Sequence, residues 1–339
     1  MKIIAEIGKN FVTTEAEEPL EHLLIKAKHL IFEAKNCGCD VVKFQVHCVE
    51  DEIHPEAKII SPHFDHDRYA WVKRNTYPAD FWFEIKEYCR EIGIEFLATP
   101  MSRGAAIILD EIGVDSWKIG SGDILDFVML DYIRDSGKPV IISSGMSSLE
   151  ELKKAYNYLR ERIEDITILH CVSQYPCPLE CLNLLTITFL QDEFPGAKIG
   201  FSDHSTGIEG SLMAVYLGAE VIEKHFTMSR DAWGPDHKVS LQPEEMFRLV
   251  YKIKNDQLMK PTAQALGVET KYIQKGEEKF RPAFRKGLYA SRDIKKGEPM
   301  VPDMVYAMRP TNGALPSEHY PVVMKMKAVK DYKQYEKIS

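Results

Sequence analysis

Short apolar runs that end in polar residues recur along the chain, and longer stretches with helical periodicity separate them. An apolar run with polar residues at its carboxyl end is typical of a buried parallel strand. Helical periodicity is clear at Phe81–Ile92 and Leu149–Arg162, and a glycine often stands between such a stretch and the next run. The predicted strands are Ile3–Gly8, Val41–His47, Glu95–Pro100, Ser116–Ser121, Val140–Gly145, Ile166–Cys171, Lys198–His204 and Val221–Phe226.

Eight alternating β/α units within about 250 residues predict a (β/α)8 TIM barrel in the α/β class. A doubly wound sheet is the alternative, but eight similar strands with polar carboxyl ends fit a barrel better. Active sites of such barrels lie at those ends. We therefore expect a ring of side chains there: Glu6, Asn10, Lys43, Gln45, His47, Thr99, Ser102, Lys118, Ser121, Asp123, Ser143, Ser144, His170, Ser173, Tyr175, Ser202, Asp203, His204, Glu223 and His225.

The C-terminal part of the chain has a different pattern. Pro243–Leu266 predicts a helix that closes the barrel, so we assign residues 1–266 to the barrel domain. Residues 267–282 are polar and charged, as in a linker. In residues 283–339, short apolar runs alternate with Gly and Pro turns, which predicts a small β-rich domain. A domain this short buries little core, and we expect it to dock on another surface.

Two histidines end the seventh and eighth predicted strands, with a short helical stretch between them. His204 and His225 are 21 residues apart, which places them side by side at the rim of a parallel sheet. Two imidazoles there, with Asp203 and Glu223 nearby, predict a divalent metal site with positions left open for substrate. The Gly-Pro loop that carries Asp236 follows and can fold over the same rim. The alternative is that each histidine only makes structural hydrogen bonds.

Two lysines stand inside apolar strands. Lys43 lies in VVKFQ and Lys118 in SWKIG, where an unpaired ammonium is costly. With the hydroxyls of Thr99 and Ser121 and with backbone N–H groups at glycines, they predict a phosphate-binding site. The alternative is that both lysines are surface charges.

One connection is too long for a simple βα loop. His47–Arg74 is charged and aromatic, which predicts an active-site loop. We interpret His54, His63 and His66 within it as solvated residues rather than as metal ligands.

The composition of the chain limits the kinds of partner and the compartment that we expect. The 339-residue chain has a net charge of −8, which argues against nucleic acid or an anionic membrane as its main partner. A few Lys and Arg gathered in one cleft still allow an anionic small substrate. No apolar run approaches the roughly 20 residues of a membrane span. Seven scattered cysteines predict reduced packing residues, and hence a cytoplasmic protein.

Several motifs occur in a characteristic order: AEIG, KFQ, ATPMSR, WKIGSGD, SSGMSS, HCVSQYP, GFSDHS, EKHFT, GPDHKVS, LYASRDIKKGE and MRPTNG. In this order the chain resembles, over nearly its whole length, the sialic acid synthase family (N-acetylneuraminate synthase and its relatives). The resemblance implies a TIM barrel followed by an antifreeze-like (SAF) domain, in a domain-swapped homodimer. It also implies a transferase that condenses phosphoenolpyruvate with N-acetylmannosamine or a related hexosamine. The products are a nine-carbon 2-keto acid and phosphate, formed by C–O cleavage.

The resemblance also implies roles for individual residues. His204 and His225 would bind Mn²⁺ or Mg²⁺, Glu223 would orient the attacking water, and Arg309 would enter the barrel mouth of a second subunit. Sugar-side or proton-handling groups would be Glu6, Tyr175 and Asp236. The implied phosphoenolpyruvate contacts are Lys43, Thr99, Lys118, Ser121 and Ser202. Gln45, Ser144 and Ser173, from the predicted rim, complete our substrate-binding set.

Some stretches depart from the family pattern. GKNFVTTEAEEPLE follows the first strand in place of a shorter INHNG-like segment, Ser173 stands where an asparagine is common, and the family often has an asparagine near Pro62–Phe64. These positions leave the sugar open: a pseudaminic or legionaminic acid precursor and a phosphorylated sugar are alternatives. Two further hypotheses stay open, a metal-dependent barrel aldolase acting on pyruvate and a non-catalytic sugar-binding homologue.

Overall fold

The computed structural model describes residues 1–58 and 66–339. His63 and the Pro62–Phe64 stretch, on which the sequence predictions touched, lie outside these residues. The barrel strands are β1 (Lys2–Gly8), β2 (Val41–Val46), β3 (Glu95–Pro100), β4 (Trp117–Ile119), β5 (Val140–Ser143), β6 (Ile166–Cys171), β7 (Lys198–Asp203) and β8 (Val221–His225). The helices are α1 (Leu20–Asn36), α2 (Val49–Glu52), α3 (Arg68–Arg74), α4 (Ala79–Ile92), α5 (Arg103–Glu111), α6 (Phe127–Ser136), α7 (Leu149–Arg160), α8 (Leu185–Glu193), α9 (Glu209–Tyr216), α10 (Pro243–Lys254), α11 (Ala263–Leu266), α12 (Lys275–Glu278), α13 (Arg281–Phe284) and α14 (Tyr320–Val323).

The eight strands form a near-closed parallel barrel. Their order is β3-β2-β1-β8-β7-β6-β5-β4, so the first and last strands pair and the ring nearly closes. Glu6 on β1 pairs with Lys43 on β2 and with His225 on β8. The barrel prediction is confirmed, and this register brings the polar ends of the strands to one rim.

Local sequence signals start and stop the helices around the barrel. Ser148 and Glu151 form a reciprocal capping box at the start of α7, and Ser102 accepts the Ala105 N–H at the start of α5. Gly93 ends α4 with φ of 73°, a conformation that disfavours a side chain. The apolar faces of the helices pack on the barrel, with Trp82 and Trp117 fully buried.

The predicted closing helix is two helices. α10 ends at Lys254, and Asp256 has a positive φ of 53°, which interrupts the helical path. Pro261 then delays the start of α11 until Ala263. The prediction of one helix over Pro243–Leu266 was therefore wrong in its middle.

The C-terminal residues pack on the barrel of their own chain. Two short strands, β9 (Gly287–Ala290) and β10 (Val305–Met308), form an antiparallel sheet. The stretch predicted as a linker contains α12, and Glu277 in this helix is fully buried and accepts the N–H groups of Met146 and Ser173, both at 2.8 Å. The linker prediction missed this packing because composition does not report on burial. The domain boundaries stay a prediction.

Among residues 1–58 and 66–339, no helix is both long and apolar enough to cross a membrane.

Candidate active site

A cavity of about 180 Å³ opens at the carboxyl ends of the barrel strands. It contains every residue to which we assigned a catalytic, substrate-binding or metal-binding role, except Ser144 and Arg309. Those that line it are Glu6, Lys43, Gln45, Thr99, Lys118, Ser121, Ser173, Tyr175, Ser202, His204, Glu223, His225 and Asp236. Four members of the wider predicted ring are also absent from its wall: Asn10, Ser102, His170 and Asp203. The expectation that the site lies at the carboxyl ends of the strands therefore identified most of these residues from the sequence. The role of each residue stays a prediction.

Two lysines and two glutamates meet at the inner end of the cavity. Lys43 Nζ lies 2.8 Å from Glu6 Oε2 and 3.6 Å from Glu223 Oε1. Lys118 Nζ donates to Ser143 Oγ at 2.6 Å and lies 3.9 Å from Glu223 Oε2. Both lysines are almost fully buried, so the alternative that they are surface charges was wrong.

The surroundings separate the pKa values of the two lysines. Burial favours the neutral amine of Lys43, but Glu223 and Glu6 outweigh burial and raise its pKa. Burial dominates at Lys118 and lowers its pKa to about 8. Near neutral pH both lysines are therefore cationic, and of the two Lys118 is closer to losing its proton.

The two glutamates also differ. Burial raises the pKa of Glu6. Burial acts in the same sense on Glu223, but Lys118 and Lys43 outweigh it and lower the pKa of Glu223. Ser202 Oγ donates to Glu223 Oε1 at 3.1 Å, whereas Glu223 Oε2 is buried with no hydrogen-bond partner among the described residues. Two carboxyl groups with opposite pKa shifts suit acid–base chemistry.

Asp236 approaches the cavity from the loop after β8. Burial, followed by the charge of Glu6, raises its pKa to about 6. This carboxyl therefore changes protonation close to neutral pH, the range in which general acids and bases work best.

The histidine pair lies beside these groups. The ring centroids of His204 and His225 are 5.4 Å apart, and the Tyr175 ring lies 4.1 Å from that of His204. His204 Nδ1 lies 2.9 Å from the Val172 carbonyl oxygen, so the tautomer that donates there leaves Nε2 with a free lone pair. His225 Nδ1 is buried and has no hydrogen-bond partner in the described chain.

The histidine pair fits a divalent cation. Oriented imidazoles with a free nitrogen are typical ligands, and the buried, unpartnered Nδ1 of His225 is costly without one. Burial keeps the pKa of His225 well below its usual range. Burial also opposes protonation of His204, but Cys171 and the Val172 carbonyl outweigh it and raise its pKa, and metal binding would require the neutral ring. Within residues 1–58 and 66–339, no three His, Cys, Asp or Glu side chains form a metal-binding group. Because two imidazoles leave coordination positions open, substrate or water would supply the remaining ligands of the cation.

Asp203 faces away from the histidine pair. Its carboxylate is fully buried, lies 3.0 Å from Lys224 Nζ and accepts hydrogen bonds from Ser205 and Ser211. Side chains alternate along a strand, so Ser202 and His204 face the cavity while Asp203 faces the helices. The expectation of Asp203 close to the histidine pair as a metal-site acid was wrong for this reason.

Two residues with a predicted binding role lie outside the cavity. Ser144 is buried but is not in the cavity wall; its neighbour Ser143 is, and Lys118 binds Ser143. Arg309 is fully buried behind the wall, where its guanidinium binds Glu52 at 3.0 Å and Asp123 at 2.5 Å. Both acids belong to its own chain, because α12 and α13 carry the backbone across the mouth of the same barrel.

Some residues of the cavity wall had no individual prediction. Arg68 and Trp71 come from α3, within the stretch His47–Arg74 that was predicted to be an active-site loop. Phe284 comes from α13, and Met101 from the loop after β3. His66 also lines the cavity and stacks edge-to-face on Trp71 and Trp233, so its interpretation as a solvated residue was wrong. His54 packs on Tyr289, with ring centroids 5.1 Å apart. The signal available for α3 was the aromatic and basic run RYAWVKR.

Comparison with known proteins agrees with this arrangement. Residues 30–265 match the NeuB family. The chain belongs to the NeuB family. It is 36% identical to the N,N'-diacetyllegionaminic acid synthase of Campylobacter jejuni, over 92% of this chain and 93% of that protein. It is 34% identical to the human N-acetylneuraminate-9-phosphate synthase, over 89% of this chain and 81% of the human protein.

A solved structure supports the same conclusion. The crystal structure of the spore coat polysaccharide biosynthesis protein SpsE of Bacillus subtilis superposes with a TM-score of 0.80 and 29% identity. The match covers 100% of this NeuB-family chain and 93% of SpsE. The predicted family is therefore confirmed, and this protein shares the fold of SpsE over the length of the chain.

Proposed function

We propose that this NeuB-family protein condenses phosphoenolpyruvate with an N-acetylated hexosamine to give a nine-carbon 2-keto acid and phosphate. The observation that carries the proposal is the cluster of Lys43, Lys118, Glu6 and Glu223 beside the histidine pair in one cavity. The named relatives that make sialic or legionaminic acids support the reaction type. The protein would then be a transferase in the biosynthesis of a sugar acid of the sialic acid type.

Phosphoenolpyruvate would bind at the inner end of the cavity. Lys43 and Lys118 supply positive charge there, and Thr99, Ser121 and Ser202 supply hydroxyls. Lys43 already donates to Thr99 Oγ1 at 3.2 Å, which holds the ammonium in place. In a buried site these groups would stabilise the charge that grows on the phosphate as it leaves.

The sugar would bind between the histidine pair and the outer wall. A Mn²⁺ or Mg²⁺ ion held by His204 and His225 would supply Lewis-acid chemistry at the sugar aldehyde. Tyr175, Asp236 and Glu6 would orient the sugar and handle its proton. Carbon 3 of phosphoenolpyruvate forms the new bond to the aldehyde carbon, and the electron pair comes from the enol double bond.

Water completes the reaction at carbon 2. Glu223, kept ionised by the lysines, would accept a proton from water as its oxygen bonds to carbon 2. The tetrahedral centre then breaks its bond to the phosphate oxygen, phosphate leaves, and the ketone forms. Gln45 donates to Glu6 Oε1 at 2.9 Å and would keep that carboxyl oriented, and Ser173 would contact the substrate from the same cavity wall.

We also propose that residues 283–339 form an antifreeze-like domain and that the working enzyme is a cytoplasmic homodimer. The antiparallel β9–β10 pair is consistent with such a domain. In this structure the domain packs on its own barrel, and exchange between two subunits would place Arg309 equivalently in the partner. Sedimentation would give the subunit number. Mixing Arg309→Ala with His204→Ala would test exchange by complementation, because only an exchanged heterodimer would combine an intact barrel with an intact Arg309 in one site.

One assay tests the proposed reaction. Phosphate release from phosphoenolpyruvate is measured with Mn²⁺ and N-acetylmannosamine, its 6-phosphate, or 2,4-diacetamido-trideoxyhexoses. A barrel aldolase would instead accept pyruvate, and borohydride would trap Lys118 if this lysine formed a Schiff base. A sugar-binding homologue would release no phosphate with any sugar. The panel also separates N-acetylneuraminic acid synthesis from that of legionaminic or pseudaminic acid.

A further inference from the structure

Two guanidinium groups lie near the same phenyl ring at the outer wall of the cavity. Arg68 Cζ lies 4.2 Å from the centroid of the Phe284 ring, and Arg309 Cζ lies 6.0 Å from it. Arg309 is saturated: its nitrogens bind Glu52, Asp123 and the Phe284 carbonyl. The two arginines therefore share one apolar neighbour but differ in their polar partners.

Arg68 has no comparable partner. It is only 7% exposed and lines the cavity, yet none of its nitrogens makes an ion pair or a hydrogen bond with the described residues, and its Nε is fully buried. Burial lowers its pKa to about 10, so the group stays charged at neutral pH. A buried guanidinium with five N–H donors and no acceptor carries a large desolvation cost.

The nearest acids are already engaged. Glu52 binds both His47 at 2.6 Å and Arg309 at 3.0 Å. Asp123 binds Arg309 and also Lys286, the latter at 3.0 Å. These two carboxylates attract Arg68 from beyond ion-pair distance, while Arg309 repels it. The protein thus leaves one positive charge facing the cavity with its hydrogen-bonding capacity unused.

We propose that Arg68 binds an anionic group on the acceptor sugar, a phosphate or a carboxylate. This inference rests on the proposed function for its choice of a sugar as ligand. The phosphate of phosphoenolpyruvate would be held by Lys43 and Lys118 on the strands, whereas Arg68 stands on a helix beyond the barrel, beside Trp71 and Phe284. The planar guanidinium binds phosphate or carboxylate through two parallel hydrogen bonds. Arg68 is therefore a specificity residue that selects charged over neutral acceptors.

Binding to the full chain tests this directly. Calorimetry with N-acetylmannosamine, its 6-phosphate and its 6-carboxylate compares ligands that differ only in the charged group, with chelator present to prevent turnover. We expect the unaltered chain to bind one or both anionic sugars about tenfold to a hundredfold more tightly than the neutral sugar, the factor for a charge-assisted pair. Preference for the phosphate or for the carboxylate identifies the group.

Variants separate a ligand contact from a structural charge. Arg68→Gln should abolish the preference for anionic sugars while neutral-sugar binding changes less than about threefold, and Arg68→Lys should restore part of it. Lys73→Gln removes an exposed charge from the same helix and should change neither. An anionic sugar that binds equally well to Arg68→Gln would be held by the strand lysines, and this result would overturn the inference.

Turnover distinguishes the inference from the proposed function. Arg68-dependent binding without consumption of phosphoenolpyruvate would support the inference and contradict the proposed reaction. Consumption at equal rates with neutral and anionic sugars, unaltered in Arg68→Gln, would support the reaction and overturn the inference.

Discussion

Lys43 and Glu6 face each other on neighbouring strands, and their side chains meet at 2.8 Å in the centre of the barrel mouth. The pair is almost fully buried, so its charges are strongly coupled. A phosphate that binds Lys43 must share this ammonium with a carboxylate whose pKa is already raised by burial. Substrate binding and the protonation of Glu6 are therefore linked.

We expect the protonation of Lys118 to determine how kcat/KM for phosphoenolpyruvate depends on pH. Its pKa in the free enzyme is lowered to about 8 by burial, so the ammonium is present below pH 8 and lost above it. We expect kcat/KM for phosphoenolpyruvate to fall roughly tenfold per pH unit above that value. The pKa of Lys43 is raised, so it cannot cause this limb. A pH profile of Lys118→Arg should lack the limb, and an unchanged limb would assign it to another group.

We expect substitution of either histidine of the pair to remove both metal binding and activity. His204→Ala or His225→Ala removes one of the two proposed imidazole ligands, and activity with Mn²⁺ should fall on the order of a hundredfold or more. Metal content by mass spectrometry and the circular dichroism spectrum are the two readouts. His54→Ala, outside the cavity, is the control. Full turnover in either site variant with a native spectrum would remove the metal assignment.

We expect substitution of Arg309 to lower the free energy of unfolding substantially. Arg309→Ala would leave Glu52 and Asp123 buried with one cation fewer, and loss of a buried partner costs roughly 3–5 kcal/mol. Urea unfolding should therefore show a lower midpoint, accompanied by a higher KM for the sugar because Asp123 lines the cavity. Lys295→Ala, an exposed ion pair in the same C-terminal region, should change little. A midpoint equal to that of the unaltered chain would show that Arg309 lacks these partners in solution.

We expect the segment 267–282, through Glu277, to position residues of the active site. Its carboxylate accepts the N–H groups of Met146 and Ser173, two residues of the cavity wall. Glu277→Ala should raise KM for phosphoenolpyruvate several-fold and destabilise the fold by roughly 1.5–3 kcal/mol, the value of hydrogen bonds to a charged group. Glu278→Ala, exposed on the same helix, is the matched control. Equal kinetics in the two variants would contradict this role.

The sequence predicted the barrel because each strand carries its own signal. An apolar run with polar residues at one end marks both the strand and its rim, which is why Lys43, Lys118, His204 and Glu223 were assigned together. The same rule cannot say which of two adjacent polar residues faces the cavity. Ser143 and Ser144, like Ser202 and Asp203, differ by one position, and only the register of the barrel decides between them.

Residues outside the strands had no such marker. Arg68 lies within the predicted active-site loop His47–Arg74, but nothing in its immediate sequence shows that its guanidinium is buried beside Phe284, 216 positions later in the chain. Arg309 was recognised by its motif, but sequence does not report whether the C-terminal residues return to their own barrel. Such long-range packing depends on the path of the connecting segment, which composition alone described as a polar linker.

The most direct test follows the oxygen that joins carbon 2 to phosphorus in phosphoenolpyruvate. With this oxygen isotopically labelled, the purified protein is incubated with Mn²⁺ and each sugar of the panel, and both products are analysed by mass spectrometry. We expect one sugar to yield a nine-carbon 2-keto acid and the label to leave entirely in inorganic phosphate. Label retained in the keto acid, or phosphoenolpyruvate left unconsumed with every sugar by a folded, metal-loaded protein, would contradict the proposed reaction.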